Sequence, residues 1–227
     1  DATTVLLNGA ATTANSTVIV DGIETINLVA AGTASGSATS TATVTSNALT
    51  TLNITGVSAV VSAGLPGATA TVTGTVTSDA GAHDVTITGV AATSKLSANM
   101  NAGNDTVRIS TIAATHTING GDGTDTIEFV TAADAVVASA PTTYKTTGFE
   151  TVSVTSQLAN ATYTAATISA TATRFNITGR TSASGVNEST AAALTSAAPT
   201  IVGPAGTFTV GLGNAAQSTN TLGALAH

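Results

Sequence analysis

Cysteine is missing altogether from the 227 residues, which excludes disulfide staples and thiolate zinc sites and fits an exported chain relying on another crosslink. Positive charge is scarce. Lys95, Arg108, Lys145, Arg174 and Arg180 are the only basic residues against 12 acidic ones, and the formal net charge of -7 leaves no footprint for nucleic acid. Tryptophan is absent and 3% of residues are aromatic, too few for the aromatic girdles of an outer-membrane barrel. No run of 18 apolar residues occurs, so no membrane-spanning helix is expected.

Catalytic patterns are equally sparse. The chain has no G-x-S-x-G elbow, no H-E-x-x-H and no phosphate-binding G-x-x-x-x-G-K-[ST], and His83, His116 and His227 are its only imidazoles. Asp79, His83 and Asp84 cluster in sequence, yet their Gly/Ala-rich surroundings read as a solvated turn. Glu128 and Asp134 lack the aromatic platforms of a sugar cleft. The expectation is a non-enzyme.

What is present in quantity is small and β-prone. The 42% apolar fraction is mostly Ala, Val, Ile and Leu, enough for a thin core between stacked coils. Thr, Val and Ile favour strands, while Gly, Asn, Ser and Asp break them into short pieces. Alternation in Thr106-Val107-Arg108-Ile109 and Thr151-Val152-Ser153-Val154 places apolar residues on one face, as a half-buried strand requires. Residues 31–39 and 182–190 read as loops, and Asp134 to Ser139 as a short helix.

One stretch carries chemistry. Gly120-Gly121-Asp122-Gly123-Thr124-Asp125-Thr126-Ile127-Glu128 matches the nonapeptide G-G-x-G-x-D-x-U-x of parallel β-rolls. Its glycines permit left-handed turns and let carbonyl oxygens converge, and its aspartate adds a hard anionic oxygen suited to calcium. A looser copy precedes it, Asn101-Ala102-Gly103-Asn104-Asp105-Thr106-Val107, in which Met100 and Asn101 replace the leading glycines and Asn101 is the side-chain-bearing residue that tolerates the left-handed region best. Asp105 and Asp125 are 20 residues apart, against about 18 for a coil of two nonapeptides. The excess fits around Thr115 and His116, and the pair is expected to stack on neighbouring coils with calcium between them. Asp105, Asp122, Asp125 and Glu128 would otherwise repel one another.

The chain also repeats itself. Gly22-Ile23-Glu24-Thr25-Ile26 recurs as Gly148-Phe149-Glu150-Thr151-Val152, and Leu52-Asn53-Ile54-Thr55-Gly56 as Phe175-Asn176-Ile177-Thr178-Gly179, at nearly equal offsets. These boxes predict a module of residues 1–124 ending in calcium-binding turns, and a second, truncated copy at 125–227. Asp1 aligns with Asp125 in this frame, which predicts a fragment of a longer repeat protein. Glu24 and Glu150 read as edge charges that discourage wrong strand pairing, or as ligands.

Gly120 to Glu128, followed by the Gly148 to Val152 box in an Ala/Thr-rich, cysteine-free chain, resembles the surface-layer proteins of Gram-negative bacteria that carry repeats-in-toxin calcium motifs, the Caulobacter type above all. The resemblance implies an all-β, right-handed parallel β-solenoid, secreted, folding on extracellular calcium and associating with itself into a two-dimensional lattice at the cell surface. It implies no lattice-contact residue. By the motif, the calcium site comprises Asp105, Asp122 and Asp125 with Gly103, Gly120, Gly121, Gly123, Asn101 and Asn104. Regions outside the fragment would contact cell-surface polysaccharide. A calcium-dependent adhesin or a toxin repeat region shares the motif, and a β-helical polysaccharide lyase with Arg108 as base is the enzyme alternative. An alternating strand position points instead to Arg108 as a solvated partner of Glu128.

Overall fold

The computed structural model describes residues 1–8, 15–31, 40–56, 58–140, 145–156, 158, 161–178, 200–204, 208–212 and 224–226. Strands β1 (Ala2–Asn8), β3 (Thr25–Ala31), β5 (Thr51–Gly56), β7 (Thr73–Thr77), β9 (Lys95–Asn99), β11 (His116–Asn119) and β13 (Lys145–Thr147) stack in that order as a seven-stranded first sheet. The second, nine-stranded sheet contains β2 (Asn15–Ile19), β4 (Ser40–Thr45), β6 (Ser58–Gly64), β8 (Ala82–Thr88), β10 (Thr106–Ile109), β12 (Thr126–Phe129), β14 (Thr151–Val154), β16 (Arg174–Ile177) and β18 (Thr209–Leu212). Consecutive strands fall on alternate sheets and pair in parallel with the strand one coil away, so the chain winds as a β-solenoid.

Alternation decides which side chains enter. In β8 and β10 every second residue is buried, giving Val85 and Ile87 above Val107 and Ile109 in one register. Sheet one contributes Ile26, Leu28, Leu52, Ile54, Val76, Leu96 and Ile118. Each such side chain stabilises by roughly 1.5–3 kcal/mol on full burial, so a narrow aliphatic column suffices where two sheets face each other. Outside, polar ladders follow the same register: Asn53 Nδ2 donates to Asn27 Oδ1 at 2.7 Å and Asn119 Nδ2 to Asn99 Oδ1 at 3.0 Å.

The cross-section changes after β12. Helix α1 (Ala132–Ala138) follows it, and a third sheet of β15 (Thr162–Thr164), β17 (Thr200–Val202) and β19 (Ala224–Ala226) continues that side of the coil. Ser139, capping α1, accepts the Thr164 N–H at 3.0 Å and so joins helix to strand one coil on. Helix α2 (Ala165–Ile168) lies against β13, where the Thr146 hydroxyl donates to the Ile168 carbonyl. Large side chains fill this part of the coil: Phe129, Phe149, Tyr163 and Phe175 are buried here, with Tyr163 and Phe175 edge to face at 5.9 Å. Helix α1 begins at Ala132, ahead of the expected Asp134, because the Thr131 hydroxyl caps it by accepting the Asp134 N–H. Of the two expected loops, only Ala31 lies within the described residues, as the end of β3. The module boundary at residue 124 falls in the turn before β12, where β10, β12 and β14 pair without interruption.

Candidate functional site

The two motif copies form the turns from β9 to β10 and from β11 to β12, and they lie directly against each other. Ala102 and Asp122 pair across the coils, with Asp122 N–H donating to Asn101 O at 2.7 Å and Gly103 N–H to Asp122 O at 2.9 Å. Left-handed residues alternate in register, Asn101 (φ 57°) and Gly103 (119°) beside Gly121 (101°) and Gly123 (145°). Contact explains the glycines: a Cβ on Gly121 would stand 1.9 Å from Asn101 O, and one on Gly123 1.7 Å from Gly103 O. Asn101 is the only non-glycine residue at positive φ among the described residues. Its side chain is tied on both sides, accepting from Asn99 Nδ2 at 2.9 Å and donating to Ser78 O. Asn104 Oδ1 accepts the Thr124 N–H at 2.9 Å, which fastens the outer rim of the pair.

Beneath these turns runs a column of carboxylates. Asp105 Oδ1 accepts the His83 N–H and Asp125 Oδ1 accepts the Asp105 N–H, each at 2.7 Å, while Glu150 Oε2 accepts the Asp125 N–H at 2.8 Å. Each acid therefore holds the start of a strand in the preceding coil. The stacking of Asp105 on Asp125 is direct: an amide bridges them, with a 20-residue coil. Asp105 and Asp125 are 1% and 0% exposed, yet the Oδ2 atom of each has no hydrogen-bond partner. Burial is the main cause that pushes the Asp105 pKa up to about 7; the His83 N–H opposes it, and the Asp125 and Asp79 charges add to it. Burial raises Asp125 as well, against the Asp105 N–H and with the charges of Glu150 and Asp122. Asp122 itself is exposed on the turn.

Sequence reasoning named three members of this seam but favoured other roles for them. Glu150 directly precedes β14, an interior strand of sheet two flanked by β12 and β16, and its carboxylate accepts the Asp125 N–H, so it is a strand cap and not an edge charge. The recurrence of a glutamate at Glu24 and Glu150 was the signal the boxes offered. Asp79 and His83 are not a solvated turn: His83 is buried, with Nε2 2.9 Å from Asp79 Oδ1. Burial would raise the Asp79 pKa, but the Gly56 N–H, His83 and the Gly81 N–H outweigh it and lower it. Glu24 mirrors Glu150. It accepts from the Asp1 amine, and its carbonyl receives the Thr50 and Thr51 N–H groups, as the Glu150 carbonyl receives those of Thr173 and Arg174. Arg108 meets Glu128, as its strand position suggested, and also Asp84, on the outer face of sheet two.

Two buried carboxylate oxygens without partners, beside turns whose carbonyls crowd bare glycines, fit a hard cation with oxygen ligands. Asp105, Asp125, Asn104 and the turn carbonyls would hold it. Among the described residues no three His, Cys, Asp or Glu side chains converge as a ready-made metal group, so backbone and amide oxygens must complete the shell. The class defined here is a parallel β-solenoid with a buried carboxylate seam. Comparison with known protein families, with curated proteins and with solved structures found no match.

Proposed function

We propose that this chain is a non-catalytic, calcium-dependent structural module of a secreted surface-layer protein, one that assembles with further copies into a two-dimensional array. The observation that carries the reading is the pair of buried, unpartnered Oδ2 atoms of Asp105 and Asp125 in stacked glycine turns. A divalent cation there would compensate charge that burial disfavours, and its binding free energy would become folding free energy. Extracellular calcium modules bind in roughly the 10⁻⁴ to 10⁻³ M range, so the sites would stay empty before export and fill outside.

Two observations favour a structural role over catalysis. The His83 side chain is fully buried, with Nε2 taken up by Asp79 and Nδ1 enclosed, so its imidazole does not face solvent. Burial works against the Arg108 charge, but Asp84 and Glu128 outweigh it and hold the guanidinium above its ordinary pKa, the opposite of what a lyase base needs. Among the described residues no helix is long and apolar enough to cross a membrane.

Chelation tests the reading. EGTA is expected to lower the melting temperature or erase the β signal in circular dichroism, and restoring calcium should produce sheets visible by electron microscopy. An unchanged melt in EGTA would sink calcium dependence. Monodisperse particles in calcium would point instead to an adhesin or toxin repeat.

A further inference from the structure

Sheet one lines the core with small and aliphatic side chains, and at one position an imidazole interrupts them. Gly74, Leu96 and His116 pair in that order across three coils, and His116 shares the inward face of β11 with Ile118. His116 is 2% exposed, yet neither Nδ1 nor Nε2 has a hydrogen-bond partner. A polar ring thus stands where its neighbours are apolar or bare. Burial pushes its pKa down; the Ala91, Ser94 and Thr111 carbonyls oppose this from nearby, without meeting either nitrogen in hydrogen-bonding geometry. Among the described residues no ion pair includes it. Of the charged groups on the surrounding elements, Lys95 is exposed at the head of β9, Asp134 of α1 accepts the Ile112 N–H at 3.2 Å, Lys145 heads β13 opposite Thr117, and Arg108 lies with Asp84 and Glu128 on the outer face of sheet two.

The ring sits at an edge of the coil that the calcium motifs do not use. Those motifs form turns from sheet one to sheet two, whereas the turns from β8 to β9 and from β10 to β11 run from sheet two back to sheet one, on the opposite side. This edge is stitched from coil to coil: the Thr115 hydroxyl donates to Ser94 O, the Ser94 hydroxyl to Ala68 O at 3.0 Å, and the Ile112 N–H to Asp134 Oδ1. Four successive coils therefore meet beside His116. We infer that His116 is an acid-sensitive latch, whose protonation opens this edge by drawing the 110–116 turn off the 89–94 turn. Held in place, the imidazolium is a buried charge without a counter-ion, and water admitted by opening relieves that cost. The closed edge binds the proton less readily than the opened one, so closure is favoured above the ordinary histidine value of 6.5 and loses ground as pH falls below it. The seam aspartates respond in the opposite sense, so the latch has to be read locally. It does not rest on the calcium reading.

The test is hydrogen exchange on the whole chain with calcium present, at about pH 7.5 and about pH 5.5, expressed as protection factors so that the intrinsic pH dependence of exchange drops out. A proton NMR titration of the imidazoles accompanies it. The amides of Ser94, Leu96 and His116, which bond to Ala91 O, Thr115 O and Ala113 O, report on the two turns. Their protection is expected to fall at the lower pH, by up to about tenfold for one proton over the first unit below the ordinary histidine pKa. His116→Met, an unbranched apolar filler, and His116→Gln should each remove that fall. Either variant also identifies the His116 ring resonance, which should titrate below 6.5 in the wild type. An equal fall in a folded variant, or unchanged protection in the wild type, would overturn the latch. So would a His116 resonance that titrates at or above 6.5, a result that needs no more than the wild-type chain.

Discussion

Asp105 shows how one residue couples burial to conditions. Its carboxyl is raised to about 7 in the folded chain from its ordinary 3.8, so between those values the folded state binds the proton that the unfolded state has released. In metal-free protein the stability is therefore greatest below the unfolded pKa and falls as pH rises through the window from about 4 to about 7. The slope approaches roughly 1.4 kcal/mol per pH unit for one fully shifted group. Asp125 is raised in the same direction and adds to the trend. Urea melts in EGTA at stepped pH values should show this decline, and Asp105→Asn should flatten much of it. A decline of equal size in that variant would show that Asp105 is not its source. The left-handed Asn101 belongs to the same scale. Its type was a readable signal, whereas its ties to Asn99 and Ser78 depend on coils that only the fold brings together.

Among elements, the strands were legible and their sheet membership was not. The alternation that marks β10 and β14 is the same on either sheet, because an inward-pointing Val looks alike from both sides. Helix α1 was expected as a short helix from Asp134 to Ser139, but α2 has only the four residues AATI and lies against β13. The motif turns were the clearest feature, since Gly121 and Gly123 answer to contacts under 2 Å that no side chain survives. The carboxylate column was half legible: Asp105 and Asp125 by spacing, Glu150 and His83 only once the coils were superposed. From β12 onward, aromatic packing joins the aliphatic column. Phe175, fully buried against Tyr163, should cost about 3–5 kcal/mol when replaced by Ala. Equilibrium denaturation measures this, and a loss under 1 kcal/mol would mean the third side contributes little to cooperative stability.

For the whole molecule, a solenoid distributes stability among neighbouring coils, each touching mainly the one before and the one after. Calcium should then act locally first. Hydrogen exchange with and without EGTA is expected to show the largest change at residues 100–105, 120–125 and 148–151, with smaller changes at β15 and β17. Uniform deprotection along the chain would indicate one global unfolding step instead. The repeated boxes bear on the whole as well. Asp1, Glu24 and Thr50 make the contacts of Asp125, Glu150 and Thr173, but the first set leads into the first sheet and the second set into the second. One local pattern, a glutamate just ahead of a strand, thus serves entry into either sheet: the same contacts recur ahead of β3 and ahead of β14.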